Sequence, residues 1–219
     1  MKTKIDIRQL SLEELTAKIK ALGEKKFRAK QVHEWLWKKR AIDFSQMTNL
    51  SKSLRNLLEE NFIINGILLK EAQKSKDKTI KNAFLLSDQS VIEGVLIPTK
   101  KRMTACVSVQ VGCSLDCAFC ATGKLKRVRN LNADEIYDQV VMINEQSINE
   151  YEIPISNIVY MGMGEPLLNY NSVIKSIDKI TSPDGLGMSP KRITVSTAGI
   201  SKMIIKLADD KVKFNLALS

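Results

Sequence analysis

What the chain lacks narrows its reading first. No apolar run approaches the roughly 18 residues that a membrane-spanning helix requires. The opening Met1-Lys-Thr-Lys-Ile-Asp has no apolar stretch of leader-peptide length. A cytoplasmic protein is therefore expected. Histidine occurs once, at His33, on a helical pattern, so a histidine-rich metal site is excluded. Cysteine is absent except at positions 106, 113, 117 and 120, all inside fifteen residues. A disulfide framework would spread its cysteines through the chain, so this clustering points to metal or catalysis. There are no internal repeats and no low-complexity tract.

What is present is ordinary in amount and uneven in distribution. At 219 residues, 44% hydrophobic and 26% charged, the chain has enough apolar material for a core. Residues 1–130 hold 26 Lys and Arg against 13 Asp and Glu, whereas residues 131–219 hold 8 against 11, giving the net charge of +10. A basic front half suggests a polyanionic partner, most simply nucleic acid, although a general lysine bias gives the same count.

Hydrophobic periodicity divides the chain into three parts. Residues 1–64 read as a small helical unit. Ser11 and Glu14 form a capping box, Leu12, Leu15, Ile19 and Leu22 follow at helical spacing, and Gly23 stops the turn. A second helix runs through Phe27, Val32, Trp35 and Leu36, and a third starts near Ser51 with Leu54, Leu57, Leu58 and Phe62. Residues 65–105 read as a strand-rich connecting segment, with strands at 67–69, 79–86 and 90–98. Residues 106–219 alternate strand and helix: strands at 107–111, 156–161, 191–196 and 213–219, helices at 132–146, 170–180 and 200–208. That alternation predicts an α/β fold with a parallel sheet or barrel that stops after four strands.

The chemistry concentrates in Cys113-Ser-Leu-Asp-Cys117-Ala-Phe-Cys120. Three thiolates at this spacing, with the aromatic Phe119 before the last, can hold three irons of a [4Fe–4S] cluster. The fourth iron then needs an outside ligand, and in radical-SAM enzymes that ligand is S-adenosylmethionine (SAM) itself. The competing reading is structural zinc, which takes four donors and would recruit Cys106. Met161-Gly-Met-Gly-Glu-Pro166 follows a strand, where α/β folds place ligands. Its glycines admit a ligand close to the backbone, and Glu165 can accept from a cationic amine. Ser196-Thr-Ala-Gly199 closes the next strand in the same way, and Ser219 ends the last.

With these residues in place, the chain resembles the radical-SAM family of dual-specificity adenine-C2 methyltransferases acting on 23S rRNA and tRNA. The resemblance rests on Phe27-Arg-Ala-Lys-Gln, Met47-Thr-Asn-Leu-Ser, Glu93-Gly-Val-Leu-Ile-Pro, Cys106 through Gly123, Asn130-Leu-Asn-Ala-Asp-Glu-Ile, Gly162-Met-Gly-Glu-Pro-Leu and Val195-Ser-Thr-Ala-Gly. It implies a partial radical-SAM (β/α) barrel over 106–219, preceded by a helical RNA-binding domain. It implies that Cys113, Cys117 and Cys120 bind the cluster and that Gly164, Glu165, Ser196 and Ser219 contact SAM. Glu93 matches the family's proton acceptor, and Cys106, as a thiolate, matches the cysteine that resolves a covalent protein–RNA adduct. A monomer with an electron-donating reductant as partner is expected. The family carries its methyl group on a further cysteine in its C-terminal part, and this sequence has none after Cys120. Whether fragment or natural truncation, the chain alone is expected not to complete a methyl transfer. Pro166 favours the C2 group over the sister group that methylates adenine C8.

The remaining basic residues are expected to meet phosphates. Lys124, Lys126, Arg127 and Arg129 follow the cysteine loop, and Lys100, Lys101 and Arg102 precede the strand leading to it; both sets are expected to flank a substrate channel. Of Trp35 and Trp37, either of which could stack on a base, Trp35 has the spacing of a core residue. Two other readings stay open: a radical-SAM enzyme acting on a small molecule or protein, and a zinc-containing RNA-binding module without catalysis.

Overall fold

The computed structural model describes residues 4–115, 117, 118 and 120–219. Met1, Lys2, Thr3, Asp116 and Phe119 lie outside the described residues, among them the aromatic expected to mark the cysteine loop. The chain forms two compact units, one of residues up to Gly66 with Ser182–Gly187, the other of Ile67–Thr181 with Met188–Ser219.

The first unit is helical. A short strand β1 (Ile5–Asp6) pairs in parallel with β2 (Phe62–Ile63), closing the unit on itself. Between them run α1 (Leu12–Ala21), α2 (Phe27–Trp37) and α3 (Lys52–Asn61). The capping box forms: Glu14 N–H donates to Ser11 Oγ at 3.1 Å, and Ser11 N–H to the Glu14 carboxylate at 2.7 Å. Ser51 caps α3 by accepting from the Leu54 amide. Leu15, Ile19, Val32, Leu36, Leu54 and Leu58 are buried, as their helical spacing requires.

The second unit is built on one seven-stranded sheet. Its strands are β3 (Leu68–Lys74), β4 (Ile80–Leu85), β5 (Val91–Pro98), β6 (Met103–Cys106), β9 (Asn157–Tyr160), β10 (Ile193–Thr197) and β11 (Asn215–Leu218). A separate two-stranded ribbon joins β7 (Gln110–Val111) to β8 (Arg129–Asn130) in antiparallel fashion. The sheet order is β11-β10-β9-β6-β5-β4-β3. From β6 to β11 the pairs are parallel, and from β3 to β6 they are antiparallel. Helices α4 (Ala133–Tyr151), α5 (Tyr170–Thr181) and α6 (Ser201–Asp209) connect the parallel strands. Four parallel strands in sequential order with intervening helices make the expected partial (β/α) barrel. The segment read as a connection contributes β3, β4 and β5 to the same sheet.

The strand expected at 107–111 differs. The ladder strand is β6, ending at Cys106, and the chain then leaves the sheet. Only Gln110 and Val111 pair again, with β8. Val107, Val109 and Val111 alternate with Ser108 and Gln110, and all five are buried. The polar pair turns inward to hydrogen-bond loops, which periodicity alone does not distinguish from facing water.

One sheet face carries Phe84, Ile92, Leu96, Ala105, Ile158 and Tyr160, all buried, with Ile136, Val140 and Ile143 of α4 buried likewise and α4 packed on β5 and β6. Phe84→Ala should therefore lower stability by about 3–5 kcal/mol through lost burial and a residual cavity. Urea unfolding of the pure chain checks this, and a loss below about 1 kcal/mol would contradict the packing described.

Candidate functional site

The site is assembled where the parallel strands end. The cysteine loop springs from β7 and returns on β8, so the two-stranded ribbon fixes its base. Gly112 turns the chain into the loop at φ +73°, and a Cβ there would lie 2.3 Å from the Lys126 carbonyl oxygen. Only glycine combines that backbone conformation with so close an approach. Inside the loop, Cys113 N–H donates to Leu125 O at 3.1 Å, Cys120 N–H to Cys117 O at 3.0 Å, and Gly123 N–H to Cys120 O at 3.1 Å. The Leu115 amide points at Cys113 Sγ, 3.4 Å away. Amides directed at cysteine sulfur stabilise negative charge on it, as a thiolate ligand requires.

The loop after β9 contains Gly164, at φ +95°, and Glu165, which is only 4% exposed. Glu165 accepts two backbone hydrogen bonds, from Leu167 N–H at 3.0 Å on Oε1 and from Ala198 N–H at 2.9 Å on Oε2. Its carboxylate thus joins its own loop to the loop after β10. A carboxylate has about four lone-pair directions, so capacity remains for a cationic amine. At the end of β10, Ser196 Oγ lies 2.7 Å from Ser219 Oγ, and Ser219 N–H donates to Thr197 O at 3.0 Å.

These loops enclose a cavity of about 420 Å³. Cys113, Cys117, Cys120, Gly164, Glu165, Ser196 and Ser219 all line it, together with Thr122, Tyr160, Met161 and Pro166. The volume lies within the range of small-molecule sites. Among the described residues, no three His, Cys, Asp or Glu side chains converge on one ion position. Zinc needs its donors within about 2.3 Å of a single point. A cluster takes each thiolate on a different iron. Cys106 closes the buried strand β6 and is not on the cavity wall. The donor set therefore fits a three-cysteine cluster with one open iron better than a four-ligand zinc site.

Glu93 and Cys106 stand apart from the cavity but share a sheet face with its rim. Val95 pairs with Cys106, Cys106 with Val159, and Thr194 with Val159, which puts Glu93, Cys106 and Ser196 on the same face by strand alternation. Glu93 is exposed, and its carboxylate is 2.6 Å from Lys81 Nζ. The setting of the Cys106 thiol disfavours its charged form: burial pushes it up to about 11, against a smaller opposing effect of a hydrogen bond with the Met161 backbone.

The basic residues divide. Lys124, Lys126 and Arg127 are exposed beside the cysteine loop. Lys100, Lys101 and Arg102 are exposed at the turn that starts β6, and so lie at the opposite end of the parallel strands from the cavity. Arg129 is engaged internally. It makes paired bonds of 2.8 Å to both oxygens of Glu135, a 2.6 Å bond from Nε to Asp88, and a 3.1 Å bond to the Asn130 carbonyl. Its guanidinium holds the Asp88 carboxyl down at about 2. Trp35, expected in the core, is the less buried of the two tryptophans. Trp37 is buried, whereas Trp35 is half-exposed, donates to Asn49 Oδ1 at 2.5 Å and carries Lys39 Nζ 4.2 Å above its ring.

Four parallel strands with a three-cysteine loop and a glycine-rich acidic loop at their ends define the radical SAM class of fold. Residues 107–217 match the Radical SAM superfamily, and the chain belongs to it. Residues 5–64 match the ribosomal RNA large subunit methyltransferase N-terminal domain. A relative from Christiangramia forsetii, described as "Probable dual-specificity RNA methyltransferase RlmN", is 62% identical over 216 residues, covering 99% of this chain and 61% of the relative. One of the same description from Pseudothermotoga lettingae is 44% identical over 216 residues, covering 98% of this chain and 62% of its own. The crystal structure of a radical SAM methyltransferase from Sphaerobacter thermophilus superposes with a TM-score of 0.86 at 36% identity, covering 98% of this chain and 63% of that one. The chain thus spans about three fifths of the length of these relatives, and the resemblance read from its motifs holds along almost all of it.

The buried Cys106 thiol sets a measurable reactivity. At pH 8 its alkylation by iodoacetamide should be on the order of 100-fold slower than that of the same thiol in the urea-unfolded chain, because far less thiolate is present. The rate should rise about tenfold per pH unit until pH approaches 11. Mass spectrometry of the 106 peptide reads it, and equal rates in folded and unfolded chains would contradict the assignment.

Proposed function

We propose that this chain carries the cluster- and SAM-binding core of an RNA methyltransferase that modifies adenine C2 in 23S rRNA and tRNA. The observation that carries this reading is the single cavity on which the three cysteines, the glycine-rich acidic loop and the two serines converge. Its similarity along 99% of its length to a dual-specificity RNA methyltransferase supports the substrate class.

Cys113, Cys117 and Cys120 would hold the cluster, and the loop of Gly164 and Glu165, on the wall of the same cavity, would receive the amino end of SAM. Ser196 and Ser219 border the same ligand from the neighbouring strand ends. When bound, the cluster and SAM would supply a carbon-centred radical for hydrogen abstraction from a methyl group, chemistry that opens a route to an electron-poor aromatic carbon that ordinary methyl sulfonium chemistry does not reach. The protein's own groups manage protons and orientation. Glu93 would be the proton acceptor, its carboxylate paired with Lys81. Cys106, neutral at rest, becomes the attacking thiol only after losing its proton. Pro166, which opens the turn Pro166–Asn169 at the cavity wall, favours the C2 over the C8 reaction. A monomer, a cytoplasmic setting and an electron-donating reductant belong to the same reading.

The target adenine must leave its stack to reach the cavity, so folded RNA with an exposed base is the substrate form. Lys124, Lys126 and Arg127, exposed beside the cysteine loop, would meet its phosphates. Replacing all three with alanine should reduce the slope of log affinity against log salt by about two, since each phosphate contact contributes roughly 0.7–0.9. Filter binding of an rRNA hairpin across a salt series checks this. An unchanged slope would remove these residues from the RNA interface.

A further inference from the structure

We propose that Gln110 is a positioning residue of the SAM site: it sets the glycine-rich acidic loop against the base of the cysteine loop. The proposal rests on the SAM-binding reading of the cavity and adds a residue that neither the metal-ligand pattern nor the acidic motif contains.

Gln110 is fully buried, and both ends of its amide are engaged. Oε1 accepts from Glu165 N–H at 2.9 Å, and Nε2 donates to Asn130 Oδ1 at 2.7 Å. Asn130 in turn donates from Nδ2 to Leu168 O at 3.1 Å, so the chain of bonds returns to the far side of the same loop. The backbone repeats the connection, because Val109 N–H and Gln110 N–H both donate to Met163 O, at 2.8 and 3.1 Å. Gln110 also fills the space that any side chain at position 164 would need. A Cβ on Gly164 would sit 2.4 Å from Gln110 Cβ and 2.8 Å from its Oε1.

Gln110 lies on β7 two residues before Gly112 and three before Cys113, so the residue gripping the acidic loop also belongs to the base of the cysteine loop. The two loops must approach the same ligand from opposite sides, one through iron and the other through backbone and carboxylate. A rigid amide between them fixes that spacing before the ligand arrives, which lowers the ordering cost of binding. Burial makes the arrangement stringent. If the acceptor is removed, the Glu165 amide is left without its partner in a site from which water is excluded.

The test uses the cluster-reconstituted chain and SAM itself, with iron content, thermal midpoint and SAM dissociation constant measured together. Gln110→Met keeps the length and packing of the side chain and removes both hydrogen bonds. It should load iron as the parent does and bind SAM about tenfold more weakly, the effect expected of one lost buried hydrogen bond. Gln110→Glu, entering this fully buried position as the neutral acid, keeps an acceptor for the Glu165 amide and an O–H facing Asn130 Oδ1, and should recover most of that affinity at unchanged iron content. The proposal is overturned if Gln110→Met binds SAM as tightly as the parent, if it fails to load iron, or if Gln110→Glu is no better than Gln110→Met. A parent chain that loads iron and binds no SAM would instead bring down the reading on which the proposal rests.

Discussion

The architecture turns on one constraint: the loop after β9 has to sit against the segment between β6 and the cysteine loop, with no room between them. Met163 is the contact point. Its amide donates to Ser108 Oγ at 2.8 Å, and its carbonyl accepts from the amides of Val109 and Gln110. Ser108 in turn donates to the Glu93 carbonyl at 2.5 Å, and its own backbone is fixed by Gln139 of α4 through bonds of 2.9 and 3.1 Å. These bonds link the candidate proton acceptor, the acidic loop and the cysteine loop to one helix. Because every polar group in the set is buried, each must keep its partner, and that requirement makes the arrangement specific.

Electrostatics then sorts the basic residues by where the fold leaves them. Arg129 sits at the ribbon under the cysteine loop with Asp88 and Glu135 on either side, so it braces the loop and is not available to phosphates. Lys124, Lys126 and Arg127, a few residues earlier, are exposed, Arg127 donating to the Asn130 side chain at 3.2 Å. Four cations that are near neighbours in sequence therefore divide between structure and surface, and the deciding factor is the presence of a buried carboxylate at the N-terminal turn of α4. The same logic separates the tryptophans. Burial takes Trp37 into the helical core, while Trp35 keeps one face outward beneath a lysine.

Much of this was legible in the residues themselves. The capping box, the helix spacing and the alternation after residue 130 marked the elements to within a few residues, because each reports a local rule. The cysteine spacing and the glycine-rich acidic loop identified groups that line one cavity, because both motifs stand at strand ends where an α/β sheet presents its loops. What was not legible depends on partners distant in sequence. Nothing in the residues themselves marked Ser108 and Gln110 as partners of the loop 55 residues later. Glu165 was read as reaching for a ligand, and its two backbone bonds across neighbouring loops were not foreseeable. The protonation of Cys106 likewise follows from how deeply β6 is covered, which no spacing reveals.

The most direct test of the central claim is an EPR spectrum of the anaerobically reconstituted, reduced chain, recorded with and without SAM. The account predicts a [4Fe–4S] signal that changes when SAM is added, because one iron is open and the acidic loop stands beside it. A colourless protein retaining zinc would contradict it, as would a cluster signal that SAM leaves unaltered.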